Sequence, residues 1–332
     1  MAVEVQQGPG PFAPNDPSVV KRPRFEGSHH ERLPYPAGVT PGKFVWPYLV
    51  VFILFHALLP LAFVPWLFSW TGLILIPLGN YVFCSTGIGL CYHRCLTHRG
   101  LSLPKWLERS FAVLGVCCLM ESPARWVAIH RVHHLFADRQ PDPHSPLAGF
   151  WWGHFQWLIH PNPATTTGEL YERFAKDVFR DPFYFRLEKN ALWAVVYVLH
   201  AAAFFVAGLA SGWWWSGTWW GAVQFGASLL LWGVIFRTIY TWHITWAVNS
   251  AGHCWGYRNY HTDDHSRNNW LVALVTNGEG WHNNHHADQV AAAHGHRWGE
   301  LDVTWLTILL LERLGLATNV KRPRQASVPL QE

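Results

Sequence analysis

The sequence predicts an all-α integral-membrane protein: four transmembrane helices with a cytoplasmic helical cap that holds a histidine-rich metal site. Three observations predict it. Two long runs, Phe44 to Tyr92 and Asn190 to Phe236, contain no charged side chain. Only 14% of the 332 residues are charged, against roughly 25% in an average soluble domain. The 21 histidines include three clusters at fixed spacing.

Residues 1–43 are rich in Pro, Gly and charge and read as a flexible N-terminal arm. A membrane domain follows over 44–318. At about 20 residues per crossing, the first uncharged run holds two spans, near 44–68 and 72–92, with the bend marked by Pro65, Trp66, Ser69 and Gly72. His56 falls inside the first of them and reads as a satisfied membrane histidine. Residues 93–189 mix polar and apolar side chains and form the first part of the cap. Within it, Phe111 to Met120 is apolar but too short to cross, which suits an interfacial or re-entrant helix. The second run holds spans near 190–211 and 216–236, joined by a Trp-rich bend, Ser211 to Gly217. Residues 237–318 complete the cap and end in a short apolar stretch, Trp305 to Leu311, and 319–332 is a basic tail. Lys and Arg are abundant in both cap regions and absent from both bends. The positive-inside rule therefore puts the histidines and both termini in the cytoplasm.

Composition excludes other classes. The net charge of +4 is small and scattered, so no nucleic-acid surface is expected. The six cysteines show neither zinc-finger nor iron–sulfur spacing and read as small buried hydrophobes. The N-terminus lacks the apolar core of a signal peptide. The 22 Trp suit a chain with two membrane–water interfaces.

The chemistry sits in the histidines. His282, His285 and His286 stand at i, i+3 and i+4, offsets that share one helix face. His130, His133 and His134 repeat the pattern, and His93 and His98 form a pair five apart. Asn249 and His253 lie one helical turn apart. One metal needs three or four protein ligands, so this many converging histidines suggest two. Imidazole suits iron, zinc, copper and nickel, and the ligand set alone does not name the metal. Two irons could activate dioxygen and attack an unactivated C–H bond; two zincs could only polarise and hydrolyse. A water-poor site in a membrane favours the first, because lipid methylenes offer hydrolysis nothing to attack. Asp142 and Glu279 are candidates to accept N–H bonds from ligand imidazoles.

These motifs resemble the integral-membrane fatty acid desaturase family. His-x-x-x-x-His, His-x-x-His-His and His-x-x-His-His occur in the family's order. Four stretches resemble its stearoyl-CoA or acyl-lipid delta-9 branch: His130-Arg131-Val132-His133-His134, Asp142-Pro143-His144, Asn249-Ser250-Ala251-Gly252-His253, and Gly278 through His286. The resemblance implies two irons, with dioxygen as co-substrate, held by His93, His98, His130, His133, His134, His253, His282, His285 and His286. It also implies that Asn249 holds a metal-bound water. Trp281 and Asn284 depart from the Phe and Tyr common in animal members and look like the bacterial form of the box, which implies a bacterial cytoplasmic membrane.

The expected reaction is oxygen-dependent insertion of a cis double bond, at delta-9, into a saturated long acyl chain carried on CoA or a lipid. The chain has no haem-binding His-Pro-Gly-Gly box and no ferredoxin-like cysteine set, so electrons would come from a separate donor of ferredoxin or cytochrome b5 type. The competing readings are a di-iron hydroxylase of an alkane, sterol or carotenoid, a zinc-binding membrane receptor or hydrolase, and a metal-free scaffold. The second span leads into His93, so Ser85, Gly87 and Gly89 are expected to keep a substrate tunnel open. His144 and His154 read as supports of the site or braces of its loop. His160, His200, His243, His261, His265, His294 and His296 read as surface or packing residues.

Overall fold

The computed structural model describes residues 32–166 and 168–324; the basic run at Lys21–Arg24 and most of the expected C-terminal tail lie outside them. Those residues build an all-helical protein whose only strand-like pairings are isolated bridges such as Tyr257 with Asn268. Four helical stretches are long and apolar enough to cross a membrane. The first, α1, runs from Trp46 to Phe63, and α2 from Trp70 to Thr97. Ser69 caps α2 by accepting the Gly72 N–H at 2.9 Å, as an N-cap serine should.

After α2, α3 (Lys105–Val116) folds back on it so closely that any Cβ at Gly87 would strike the Gly115 backbone. The buried Arg237 holds the end of α3, donating to the Cys117 carbonyl at 2.7 Å while lying over the Phe83 ring. The helix expected over Phe111–Met120 is thus the second half of α3 and a turn. Helix α4 (Pro123–Phe136) starts at a Ser122 cap and carries the second histidine cluster.

The third apolar stretch is broken at Asn190 and Ala191, both left-handed (φ 55° and 53°), and α5 proper is Leu192–Ser216. Only Gly217 and Thr218 separate it from α6 (Trp219–Cys254), tighter than the bend expected over Ser211–Gly217. The hairpin closes on small residues: a Cβ on Gly208 would sit 2.7 Å from the Gly226 Cα. Three short helices finish the fold: α7 (Trp270–Val275), α8 (His282–Ala287) and α9 (Val303–Arg313), the last covering the apolar stretch noted in the sequence.

The two short connections meet at one end, where Gln224 donates to the Trp66 carbonyl (2.7 Å) and the Trp66 and Trp220 rings lie 5.3 Å apart. The histidines gather at the other. Outward faces of α1 and α5 are apolar and exposed, with Ile53, Leu54, Val198 and Leu199 each more than half accessible. That surface fits lipid, not water. Helices α2 and α6 run past the spans expected to end at 92 and 236, to Thr97 and Cys254. His93 and His253 therefore sit on membrane helices that project into the cap.

Candidate metal centre

Each histidine is placed by its helix. In an α-helix His93 and His98 would point roughly 140° apart. The longer part of α2, from Asn80 to Thr97, is instead wound with wider i→i+5 turns, a departure that accompanies functional sites. The His98 N–H accordingly bonds the His93 carbonyl (3.1 Å), and the two rings come within 5.0 Å. On α4 and α8 the i, i+3, i+4 spacing presents three imidazoles on one face.

The nine histidines separate into two groups. His93, His98, His130, His134 and His285 offer ligand atoms within 4.8 Å of one another, and so do His133, His253, His282 and His286. Each His-x-x-His-His box is split: His130 and His134 go to the first group and His133 to the second, while His285 goes to the first and His282 and His286 to the second.

The donor atoms fit metal ions. Nε2 of His93 lies 3.0 Å from Nε2 of His285, which is 2.9 Å from Nε2 of His134, itself 2.9 Å from Nε2 of His130. In the second group Nε2 of His253 and of His282 are 3.0 Å apart. Two nitrogens bound at right angles to one ion, each roughly 2.1 Å away, would be about 3.0 Å apart. Nε2 of His98, His133 and His286 are buried without any protein partner, which an ion would remedy. Burial lowers the pKa of His98, His130, His133, His134, His282 and His285 well below the ordinary histidine value. They are neutral at pH 7, the form that ligates metal.

Four carboxylates orient the rings from behind, Asp138 and Asp142 fully buried and Glu279 and Asp264 partly so. His93 Nδ1 donates to Glu279 (2.6 Å), His253 Nδ1 to Asp138 (2.7 Å) and His286 Nδ1 to Asp264 (2.8 Å); His133 Nδ1 lies 3.1 Å from both Asp142 oxygens. Such contacts set the tautomer and free Nε2 to bind. Their four negative charges also match two divalent cations. Burial pulls the Glu279 carboxyl up, but Arg94, His294 and His93 outweigh it and hold it well below the usual range. His253 does the same for Asp138, and His286 for Asp264. Asp142 is the exception: burial pushes it up to about 6, so it is still ionised at pH 7.

Glu279 is itself held by geometry. Gly278 adopts φ 120°, and a side chain on Gly280 would strike the Ala273 backbone, so the glutamate is flanked by two positions that need glycine. Arg94, fully buried, donates to Glu279 (2.7 Å) and bidentately to Asp302 (2.9 and 3.0 Å). Asn284, the unusual residue of the last box, satisfies both its ends: it accepts from Asn259 and Asn268 and donates to the His294 carbonyl and Glu300.

A cavity of about 500 Å³ reaches the centre. His93, His130 and His282 line its end with Glu279 and Asn249, and Ile88, Trp126, Trp242 and Trp246 wall the rest. Ser85 and Gly89, four residues apart on α2, stand on that wall; Gly87 does not, because its missing side chain faces α3. Gly89 also makes room for Glu279, whose Oε1 would lie 3.0 Å from an added Cβ.

Of the other histidines, His144 packs on His133 (ring centroids 4.4 Å). His154 points elsewhere, into a hydrogen-bonded series through His243 to His56. His294, expected among surface or packing residues, is buried against His285 (4.4 Å) and His93 (5.1 Å). Sequence reasoning missed it, along with Arg94, Asp138 and Asp264. The scarcity of acidic residues, 21 with Asp and Glu together, was the one available hint to the two aspartates.

A bundle of four membrane-length helices carrying a nine-histidine, carboxylate-braced cage defines a membrane-type protein with a candidate metal centre at the end of an apolar cavity. The chain matches the fatty acid desaturase family over residues 66–302, and it belongs to that family. It is 41% identical to an sn-1 stearoyl-lipid 9-desaturase of Anabaena variabilis, over 85% of this chain and 96% of that one. It is 42% identical to an sn-2 palmitoyl-lipid 9-desaturase of Nostoc sp. (83% and 90% covered) and 41% identical to an acyl-CoA 5-desaturase of Anemone leveillei (79% and 75%).

Proposed function

We propose that this desaturase inserts a cis double bond at delta-9 of a saturated long-chain acyl group, with the nine histidines holding two irons. The balanced reaction takes one hydrogen from each of two adjacent methylenes, together with dioxygen, two electrons and two protons, and returns an alkene and two waters. The electrons come from a separate donor of ferredoxin or cytochrome b5 type. The observation that carries this reading is the apolar cavity that ends on His93, His130 and His282. Loaded irons supply the dioxygen chemistry that an unactivated C–H bond requires.

The chain's own residues do the rest. Trp126, Trp242, Trp246 and Ile88 exclude water and hold the acyl chain by shape, since methylenes offer no polar handle. Glu279, Asp138, Asp142 and Asp264 keep the imidazole rings oriented and the Nε2 atoms free. Asn249, on the cavity wall one turn before His253, positions a water at the second group in this reading; its place on the wall supports that role. Arg94 fixes Glu279. The 9-desaturase names of two relatives support the delta-9 position. The distribution of Lys and Arg supports a multi-pass protein with both termini inside, and the bacterial form of the last histidine box supports the bacterial cytoplasmic membrane.

The test is direct. Purified protein should carry about two irons per chain, and His285→Ala should lose metal and product together, because its Nε2 lies within 3.0 Å of two other donors. Lipids of cells expressing the chain should gain a double bond at carbon 9. A hydroxylated product, or one zinc in place of iron, would overturn the reading.

A further inference from the structure

Helix α2 changes its surroundings partway along its length. Leu73, Ile74 and Leu78 face outward and are exposed, as a lipid-facing stripe should be. From Asn80 onward the helix is buried or half-buried, and two of the short late helices lie against it there. Asn80 donates to the Val275 carbonyl at the end of α7 (3.2 Å), and Asn277, just beyond α7, donates to Ser85 (2.6 Å). On α9 the Thr307 hydroxyl pairs with that of Tyr81 at 2.9 Å. The cover thus begins two residues after Leu78.

The outer sides of α7 and α9 carry the stripe on. Trp270, Leu271 and Leu274 on α7 are 66%, 55% and 61% exposed, and Leu306 and Leu310, four residues apart on one face of α9, are 52% and 56% exposed. Neither helix bears a charge before Glu312. The cap is not apolar on its outside everywhere: the helix Gly168–Phe174 turns Glu169, Glu172 and Arg173 outward. An exposed apolar face confined to the place where the stripe of α2 ends fits hydrocarbon, not water. The same two helices bracket α8. Glu279, which orients His93, lies four residues beyond the end of α7. Asp302, the other carboxylate that holds Arg94, caps α9 by accepting the Trp305 N–H at 2.8 Å.

We infer that α7 and α9 are set into the leaflet on the histidine side, with the hydrocarbon of the bilayer as the partner of their outer faces, and that this insertion braces α8 and its three histidines from both sides. With 6 and 11 residues the helices are too short to cross; they enter one leaflet and return, as amphipathic helices do. The occupant is lipid because the face is continuous with a stripe that lipid already covers. Part of the expected cytoplasmic cap, within 237–318, is thereby membrane-embedded. The brace rests on the metal-holding reading of the histidines; the insertion does not.

Bimane labels test the insertion. Single cysteines at Leu274 and Leu310, in the full chain without the half-exposed Cys254, are labelled and reconstituted in vesicles of phosphatidylcholine brominated on its acyl chains. Both labels should be quenched to the degree seen at Leu78→Cys and shielded from iodide, with the reverse pattern at the fully exposed Trp298→Cys. Iodide quenching as strong as at Trp298→Cys overturns the insertion. Quenching by neither agent, with disulfide-linked dimers of Leu310→Cys, overturns it in favour of a second copy of the chain. A chelator challenge in vesicles tests the brace. Leu274→Asp combined with Leu310→Asp should release bound iron roughly tenfold faster, because hydrocarbon expels a carboxylate. Leu274→Met combined with Leu310→Met should hold iron as the parent chain does. Equal release from the two double variants overturns the brace. Protein that never binds iron brings down the metal reading and the brace with it, and the quenching pattern still decides the insertion.

Discussion

At the scale of single residues, the two halves of the cage differ in what stands behind the rings. Three of the four histidines in the second group (His133, His253 and His286) bond a carboxylate through Nδ1, but only His93 does so in the first. Removing such a partner typically costs 10–100-fold in metal affinity. Asp264→Asn should therefore weaken one of two binding events by roughly that factor, seen as a second, looser step in metal titration, with the other step little changed. Loss of both steps together would show that the groups bind as one unit. The tunnel residues separate as sharply. Ser85 faces the cavity, held by Asn277 (2.6 Å), so Ser85→Leu should shift products to shorter chains. Gly87→Leu should instead yield unstable protein with no change of product profile, because overpacking against Gly115 costs roughly 1–3 kcal/mol or more. Equal product shifts in both variants would contradict this division.

At the scale of elements, the site depends on segments that are not adjacent in sequence being pinned together by charge. Arg94, itself fully out of water, ties α2 to the loop before α8 through Glu279 and to the start of α9 through Asp302. Removing one partner of a buried ion network leaves the others uncompensated, at a cost of about 3–5 kcal/mol. Arg94→Ala should thus lower the melting temperature in detergent and the metal content. Arg94→Lys should recover only part of both, since an ammonium cannot bridge two carboxylates in the same bidentate geometry. Full stability in Arg94→Ala would remove this clamp from the account. The wide winding of α2 belongs to the same scale. Its i→i+5 turns let His93 and His98 face one another, and no local residue pattern announces that choice.

At the scale of the whole molecule, four crossings with two short connections at one end put all the chemistry at the other. A single cysteine at Trp70 or Trp214, in a background free of the half-exposed Cys254, should react with an impermeant maleimide from outside intact cells. One at the fully exposed Trp298 should react only after lysis. Labelling of Trp298→Cys in intact cells would invert the topology.

Much of this architecture was legible in the chain. The charge-free runs require helices, because only intrachain hydrogen bonds satisfy a backbone in lipid, and that made four spans readable from composition. The i, i+3, i+4 histidines required one metal-facing side on each of two helices, because helical periodicity is local. What only the tertiary structure decided is which histidine joins which group, that Asp138, Asp264, Arg94 and His294 stand behind them, and that Gly87 faces α3 while Ser85 and Gly89 face the cavity. Asp138 lies 115 positions from the His253 it orients, and Arg94 lies 208 from Asp302. Contacts across such separations are set by how helices pack, and packing is a property of the assembled molecule that no local spacing encodes.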